Sequence, residues 1–141
     1  MRILAIDVGT KTIGVAVSDE LGIAAHGVTT IKRKDLNHDL EALRKIIDEY
    51  NPSEILVGVP YSYDGTVSKR GEGILKFAEK IKNAFSPPVE FWDESFSTVE
   101  AERMLLEADL SRKKRKKVID KMAAVFILES YLDKKRREGN S

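Results

Sequence analysis

Three strand-like segments crowd into residues 3–31, with only short turns between them. Ile3–Val8 is apolar except for Asp7, Thr12–Val17 alternates between apolar and polar, and Ile23–Ile31 reads as a third strand. Gly9–Lys11 makes the first turn, and Ser18–Asp19 with Gly22 makes the second. Connections this short admit only antiparallel pairing, so the chain must begin as a three-stranded meander.

The period then changes. Leu36, Leu40, Leu43, Ile47 and Tyr50 fall at helical spacing, and Asn51–Pro52 ends that helix. Glu54–Val59 is a short β-rich run closed by Pro60, as in a strand buried on both faces. After the Asp64–Gly65 turn, Val67, Ile74, Leu75, Ala78, Ile81 and Phe85 mark a second helix. Gly71 and Gly73 weaken its first turns by roughly 1 kcal/mol each, so mobility is expected there. Pro87–Pro88 break the chain before a last short strand, Val89–Trp92. Ser97 to Glu100 fits a capping box opening a third helix, with Ala101, Met104, Leu105 and Ala108 as its apolar stripe. A basic loop follows. The last helix runs from about Val118 into the 130s, through Met122, Val125, Phe126 and Leu132.

The order is βββαβαβαα. Strands separated by helices are expected parallel, so the class is α/β, a mixed five-stranded sheet with helices on both faces. The 141 residues suit one domain, and neither linker nor repeat divides them.

Composition narrows the chemistry. There is no cysteine, which excludes disulfides, zinc-thiolate centres and thiol nucleophiles. His26 and His38 are the only histidines. A metal would be held mainly by oxygen, which favours Mg²⁺ or Mn²⁺. No apolar run is long enough to span a bilayer, and the N-terminus lacks a signal-peptide layout, so a cytoplasmic protein without membrane contact is expected. Net charge is only +1, but Arg112, Lys113, Lys114, Arg115, Lys116 and Lys117 form an unbroken basic run, and Lys134 to Arg137 form a second. Such runs mark either solvated surface or a nucleic-acid patch.

Three carboxylates occupy unusual places. Asp7 interrupts an apolar strand, where an unpaired charge is costly. It either caps the Gly9–Thr10 turn or ligates a metal. Glu94, with Asp93 as its neighbouring alternative, follows the last strand, where open α/β sheets form their sites; a solvated acid before a helix is the other reading. Asp120 shares a helix face with Ala123, Ala124, Ile127 and Tyr131, so it either complements the helix dipole or enters a site between helix and sheet. Carboxylates from separate elements suit phosphodiester cleavage, in which two cations about 3.5–4 Å apart bridge the scissile phosphate.

Four segments, taken in order, resemble the YqgF (RuvX) family. They are Ile6–Asp19, Ile55–Pro60 with Asp64–Gly65, Trp92–Ser95 with Ser97–Thr98, and the basic run followed by Asp120 and Ala123–Ala124. The resemblance covers nearly the whole chain. It implies an RNase H-like fold and a metal-dependent nuclease with Asp7, Glu94 and Asp120 as catalytic, metal-binding acids. The family is described as acting on the 5′ end of pre-16S rRNA in ribosome biogenesis, and earlier as resolving Holliday junctions. Structured RNA is thus the expected partner, with branched DNA the alternative, and a monomer or weak dimer the expected state. Thr12 and Ser95 stand where the family commonly has arginine, and neither supplies a charged phosphate fork. Lys11, Lys69 and Arg70 are candidates to restore that grip beside the 112–117 run.

Two rivals differ in class. A nucleotide-binding protein of the actin and sugar-kinase type shares an Asp-x-Gly-Thr hairpin but normally takes two such domains. A catalytically silent RNA-binding module would bind RNA with salt-dependent affinity and leave it uncut.

Overall fold

The computed structural model describes residues 1–61, 64–93 and 112–139 and, within 112–121 and at 139, the backbone alone. The meander forms from β1 (Ile3–Val8), β2 (Thr12–Ser18) and β3 (Ala25–Lys32), each antiparallel to the next. β3 begins later than the Ile23 start expected from sequence. Ile23 and Ala24 donate their backbone N–H groups to the Asp19 carboxylate at 2.9 and 3.1 Å, which prolongs the turn.

Helix α1 (Leu36–Tyr50) is capped by Asp35, whose side chain accepts from the His38 N–H at 2.8 Å. It stops at Asn51, in the left-handed region at φ 48°, whose N–H donates to the Ile47 carbonyl. β4 (Glu54–Val59) then runs parallel to β1. Helix α2 (Lys69–Ala84) starts at Ser68, whose hydroxyl accepts from the Gly71 N–H at 3.2 Å. Gly71 is buried beneath Val67, and a Cβ there would lie 2.3 Å from Val67 Cγ1. β5 (Val89–Asp93) pairs parallel with β4, giving the sheet order β3-β2-β1-β4-β5 with β1 at the centre.

The last described helix, α3 (Arg112–Gly139), corrects one expectation. The basic run is not a loop but forms its first turns. Lysine and arginine are good helix formers, and neither glycine nor proline interrupts them. Cations at a helix N-terminus oppose its dipole, a modest cost that the run carries. The expected helix from Ser97, its capping box included, lies outside the described residues.

Each sheet face has its own core. Leu4, Ile6, Val8, Ile13, Val57 and Val59 pack against Leu43 and Ile47 of α1 and Ile74, Phe77 and Ile81 of α2. Ile3, Ala5, Ala16 and Leu56 pack against Ala124, Ile127, Leu128 and Leu132 of α3. Among the residues that mark this helix in the sequence, Leu132 is buried, whereas Met122, Val125 and Phe126 are only partly so. Alanines 123 and 124 let the helix approach the sheet closely.

Candidate active site

Side chains alternate faces along a strand. Ile3 and Ala5 point toward α3, so Asp7 continues that face at the carboxyl end of the central strand. Its neighbours across the sheet are both glycines. Gly14 is its antiparallel partner, and Gly58 stands beside it one residue beyond the Ile6–Val57 pair. Neither places a side chain against the carboxylate. Glycine inside a strand often marks such a close approach. Among the described residues, no hydrogen bond or ion pair reaches the Asp7 carboxylate. The turn is closed by backbone instead, with the Gly9 N–H donating to the Thr12 carbonyl at 2.8 Å. The turn-cap reading of Asp7 therefore lacks its hydrogen bond.

The other expected acids are only partly visible. Glu94 lies outside the described residues. Asp93 ends β5 in register with Val59; since Trp92 packs on Tyr131 of α3, alternation turns Asp93 to the face opposite Asp7. Asp120 lies in α3, four residues ahead of the buried Ala124, and its side chain is outside the described set. Among the described residues no three or more histidine, cysteine or acidic side chains gather as a metal cluster. Asp7 does suit a hard cation, as a partly buried oxygen donor with a glycine on either side of it in the sheet.

The candidate cations fall in three places. Lys11 is exposed in the β1–β2 turn, Lys69 and Arg70 begin α2, and 112–117 begin α3. Arg33, which sequence reasoning did not single out, joins Lys69 and Arg70 around a cleft of about 370 Å³, with Val8 and Ile74 as apolar lining. A larger cleft, about 620 Å³, lies where α1 and α2 end, just ahead of β4 and β5; its Arg44 is already engaged with Glu41 and Asp48. The second basic cluster is likewise occupied. Lys135 pairs with Glu54 at 3.6 Å and Arg137 with Asp133 at 3.1 Å, while Lys134 sits over the Trp92 ring. Tyr131 donates to Glu54 at 2.5 Å, and burial together with that bond pushes its phenol pKa up. The contacts to Glu54 and Trp92 fasten α3 to the sheet, whereas the Arg137–Asp133 pair lies within the helix.

Adding a side chain beside Asp7 should impair the site more than the fold. Gly58→Val suits a strand by propensity, yet cleavage should fall by about a hundredfold, the scale of an ångström-sized misplacement in an active site. Thermal melting and single-turnover rates measured together check this; unchanged cleavage would mean that the glycine serves no ligand.

The model of a family described as RuvX, Holliday junction resolvase, matches residues 1–134. A protein of Clostridium kluyveri named "Putative pre-16S rRNA nuclease" is 52% identical over 134 residues, covering 95% of this chain and 98% of its own. One of the same name from Thermoanaerobacter pseudethanolicus is 51% identical over 139 residues, covering 98% and 100%. Among solved structures, Thermus thermophilus RuvC superposes with a TM-score of 0.59 at 14% identity, covering 99% of this chain and 97% of its own. That likeness shows the RNase H-like fold of the resolvases. A match over 134 residues and relatives at half identity settle the assignment: the chain belongs to the RuvX family.

Proposed function

We propose that this protein is a metal-dependent nuclease that processes the 5′ end of pre-16S rRNA, with Asp7, Glu94 and Asp120 as its metal-holding carboxylates. Family membership makes phosphodiester hydrolysis its chemistry, and the names of its half-identical relatives favour ribosomal RNA over branched DNA. One observation carries the site. Asp7 is a partly buried carboxylate at the end of the central strand, flanked by two glycines and without a partner among the described residues.

Asp7 is paired with Gly14 of β2 and stands one residue past the last β1–β4 pair, so it needs little rearrangement to ligate. Asp7, Glu94 and Asp120 would hold Mg²⁺ or Mn²⁺, which would supply Lewis acidity and water activation for phosphodiester hydrolysis. Lys11, Lys69, Arg70 and the 112–117 run bind flanking phosphates and keep the strand in place. No described helix is long and apolar enough to cross a membrane. Acting on a ribosomal precursor, the protein works in the cytoplasm, as a monomer or weak dimer; solution mass with and without RNA tests the latter. Activity is tested by incubating purified protein and the precursor's 5′ region with Mg²⁺ or Mn²⁺; no cleavage under either metal would overturn the reading.

The basic run has its own test. Replacing Lys113, Lys114, Lys116 and Lys117 by glutamine should weaken RNA binding and flatten the salt dependence by roughly 0.7 in log–log slope for each lost contact to a single strand. Melting temperature should hold or rise slightly, since cations leave a helix N-terminus. An unchanged slope would make the run a solvated helix face and nothing more.

A further inference from the structure

Asp7 serves one face of the catalytic edge, and the cationic cleft opens on the other. Val8, the next residue, points away from α3 into the core shared with α1 and α2, and the cleft is lined by Val8 and Ile74. The Gly9–Thr10 turn runs over the edge between the two.

Arg33 is held in this cleft from three sides. Its Nη1 donates to the Gly9 carbonyl at 2.7 Å, its Nε donates to Asp39 Oδ2 at 3.1 Å, and its guanidinium lies 5.0 Å over the Phe77 ring. Asp39 is only 1% exposed, and its other oxygen accepts from the Lys34 N–H at 3.1 Å. A guanidinium has five N–H donors. Two are used among the described residues, which leaves three on a group whose orientation is fixed. Lys69 and Arg70 face the same cleft from the first turn of α2, and no carboxylate is among the described residues that line it. A planar fork locked by a buried acid and flanked by two cations is the chemistry of phosphate recognition.

We propose that this cleft is a second phosphate site, which holds a backbone phosphate flanking the one cut beside Asp7. Arg33 is its central ligand, and Asp39 is the positioning residue that aims it. The ligand's identity as a nucleic-acid phosphate rests on the nuclease reading; the cleft's preference for a phosphate dianion or diester does not.

The test is binding without turnover. A fluorescent single-stranded oligoribonucleotide is titrated in EDTA across a salt series. Arg33→Gln should lower affinity several-fold and reduce the log–log salt slope by about 0.7, one single-strand phosphate contact. Arg33→Lys should keep the slope but not the full affinity, because the charge remains while the fork is lost. Asp39→Asn should do the same through a misaimed arginine. Inorganic phosphate at constant ionic strength should compete with RNA for wild type and not for Lys69→Gln/Arg70→Gln. If Arg33 merely braces the Gly9 turn, Arg33→Gln will slow cleavage and leave slope and affinity unchanged, which overturns the proposal. Should Arg33→Gln not fold, the double variant at the exposed first turn of α2 decides, and an unchanged slope again overturns it. Phosphate that binds without displacing RNA would mark a free-phosphate site and refute the backbone assignment. Asp7→Asn separates the two claims: cleavage surviving that change sinks the nuclease reading, while the cleft result stands.

Discussion

Asp7→Asn is expected to abolish metal-dependent cleavage and to leave the fold standing. On the proposal that Asp7 ligates the cations, its loss would forfeit several kcal/mol of transition-state stabilisation, and 4 kcal/mol corresponds to roughly a thousandfold in rate. Asparagine keeps the shape of the side chain and removes its charge. Because no hydrogen bond or ion pair among the described residues reaches the Asp7 carboxylate, the change breaks no contact within them. Removing a partly buried charge that has no partner among the described residues relieves a desolvation cost, so melting temperature should hold or rise. RNA affinity in EDTA should also hold, since a repulsive charge has gone. A variant that loses activity only by unfolding would melt early, which distinguishes the two explanations.

The largest loss of stability is expected at Asp39. This carboxylate is buried and accepts from Arg33 Nε and the Lys34 N–H, with His38 Nδ1 at 3.1 Å. Asp39→Ala orphans these donors, and the expected cost is about 3 kcal/mol. For a chain of this size that lowers the melting temperature by about 10 °C. The same group predicts a pH dependence. Burial opposes ionisation of Asp39, but the Lys34 backbone hydrogen bond, the His38 and Arg33 contacts and the Arg33 charge outweigh it and hold the carboxyl below its ordinary 3.8. A carboxyl depressed on folding stabilises the native state above its unfolded value, and that stability is lost as pH falls through the lower folded value. Wild type should therefore lose stability on acidification below 3.8 more steeply than Asp39→Asn. Parallel acid-titration curves would show that Asp39 carries no such linkage.

Much of this was legible in the chain. The meander follows from turns too short for crossovers, and the two parallel strands follow from the helices inserted between them. The start of β3 was hidden because the Asp19 side chain, not the hydrophobic pattern, holds Ile23 and Ala24 in the turn. The basic run misled for another reason. Its charge says solvent, while its propensity says helix, and a helix can satisfy both. Two signals in the sequence went unread. Asp39 lies four residues before Leu43 and eight before Ile47, in the apolar stripe of α1, where an acid must be buried and paired. Gly58 interrupts the β-rich run Ile55–Val59 beside the position that Asp7 takes. The link from Asp39 through Arg33 to Gly9 has no sequence signature, since it joins a strand end, a helix start and a turn that meet only in the folded chain.

The most direct measurement is product mapping, with wild type and Asp7→Asn each incubated with the 5′ region of pre-16S rRNA and with a four-way DNA junction in Mn²⁺ or Mg²⁺. A pre-16S nuclease with Asp7 at its centre gives discrete cuts in the RNA with wild type, none with Asp7→Asn, and a junction left intact. Equal cleavage by the two proteins, or a cut junction beside uncut RNA, would contradict that assignment.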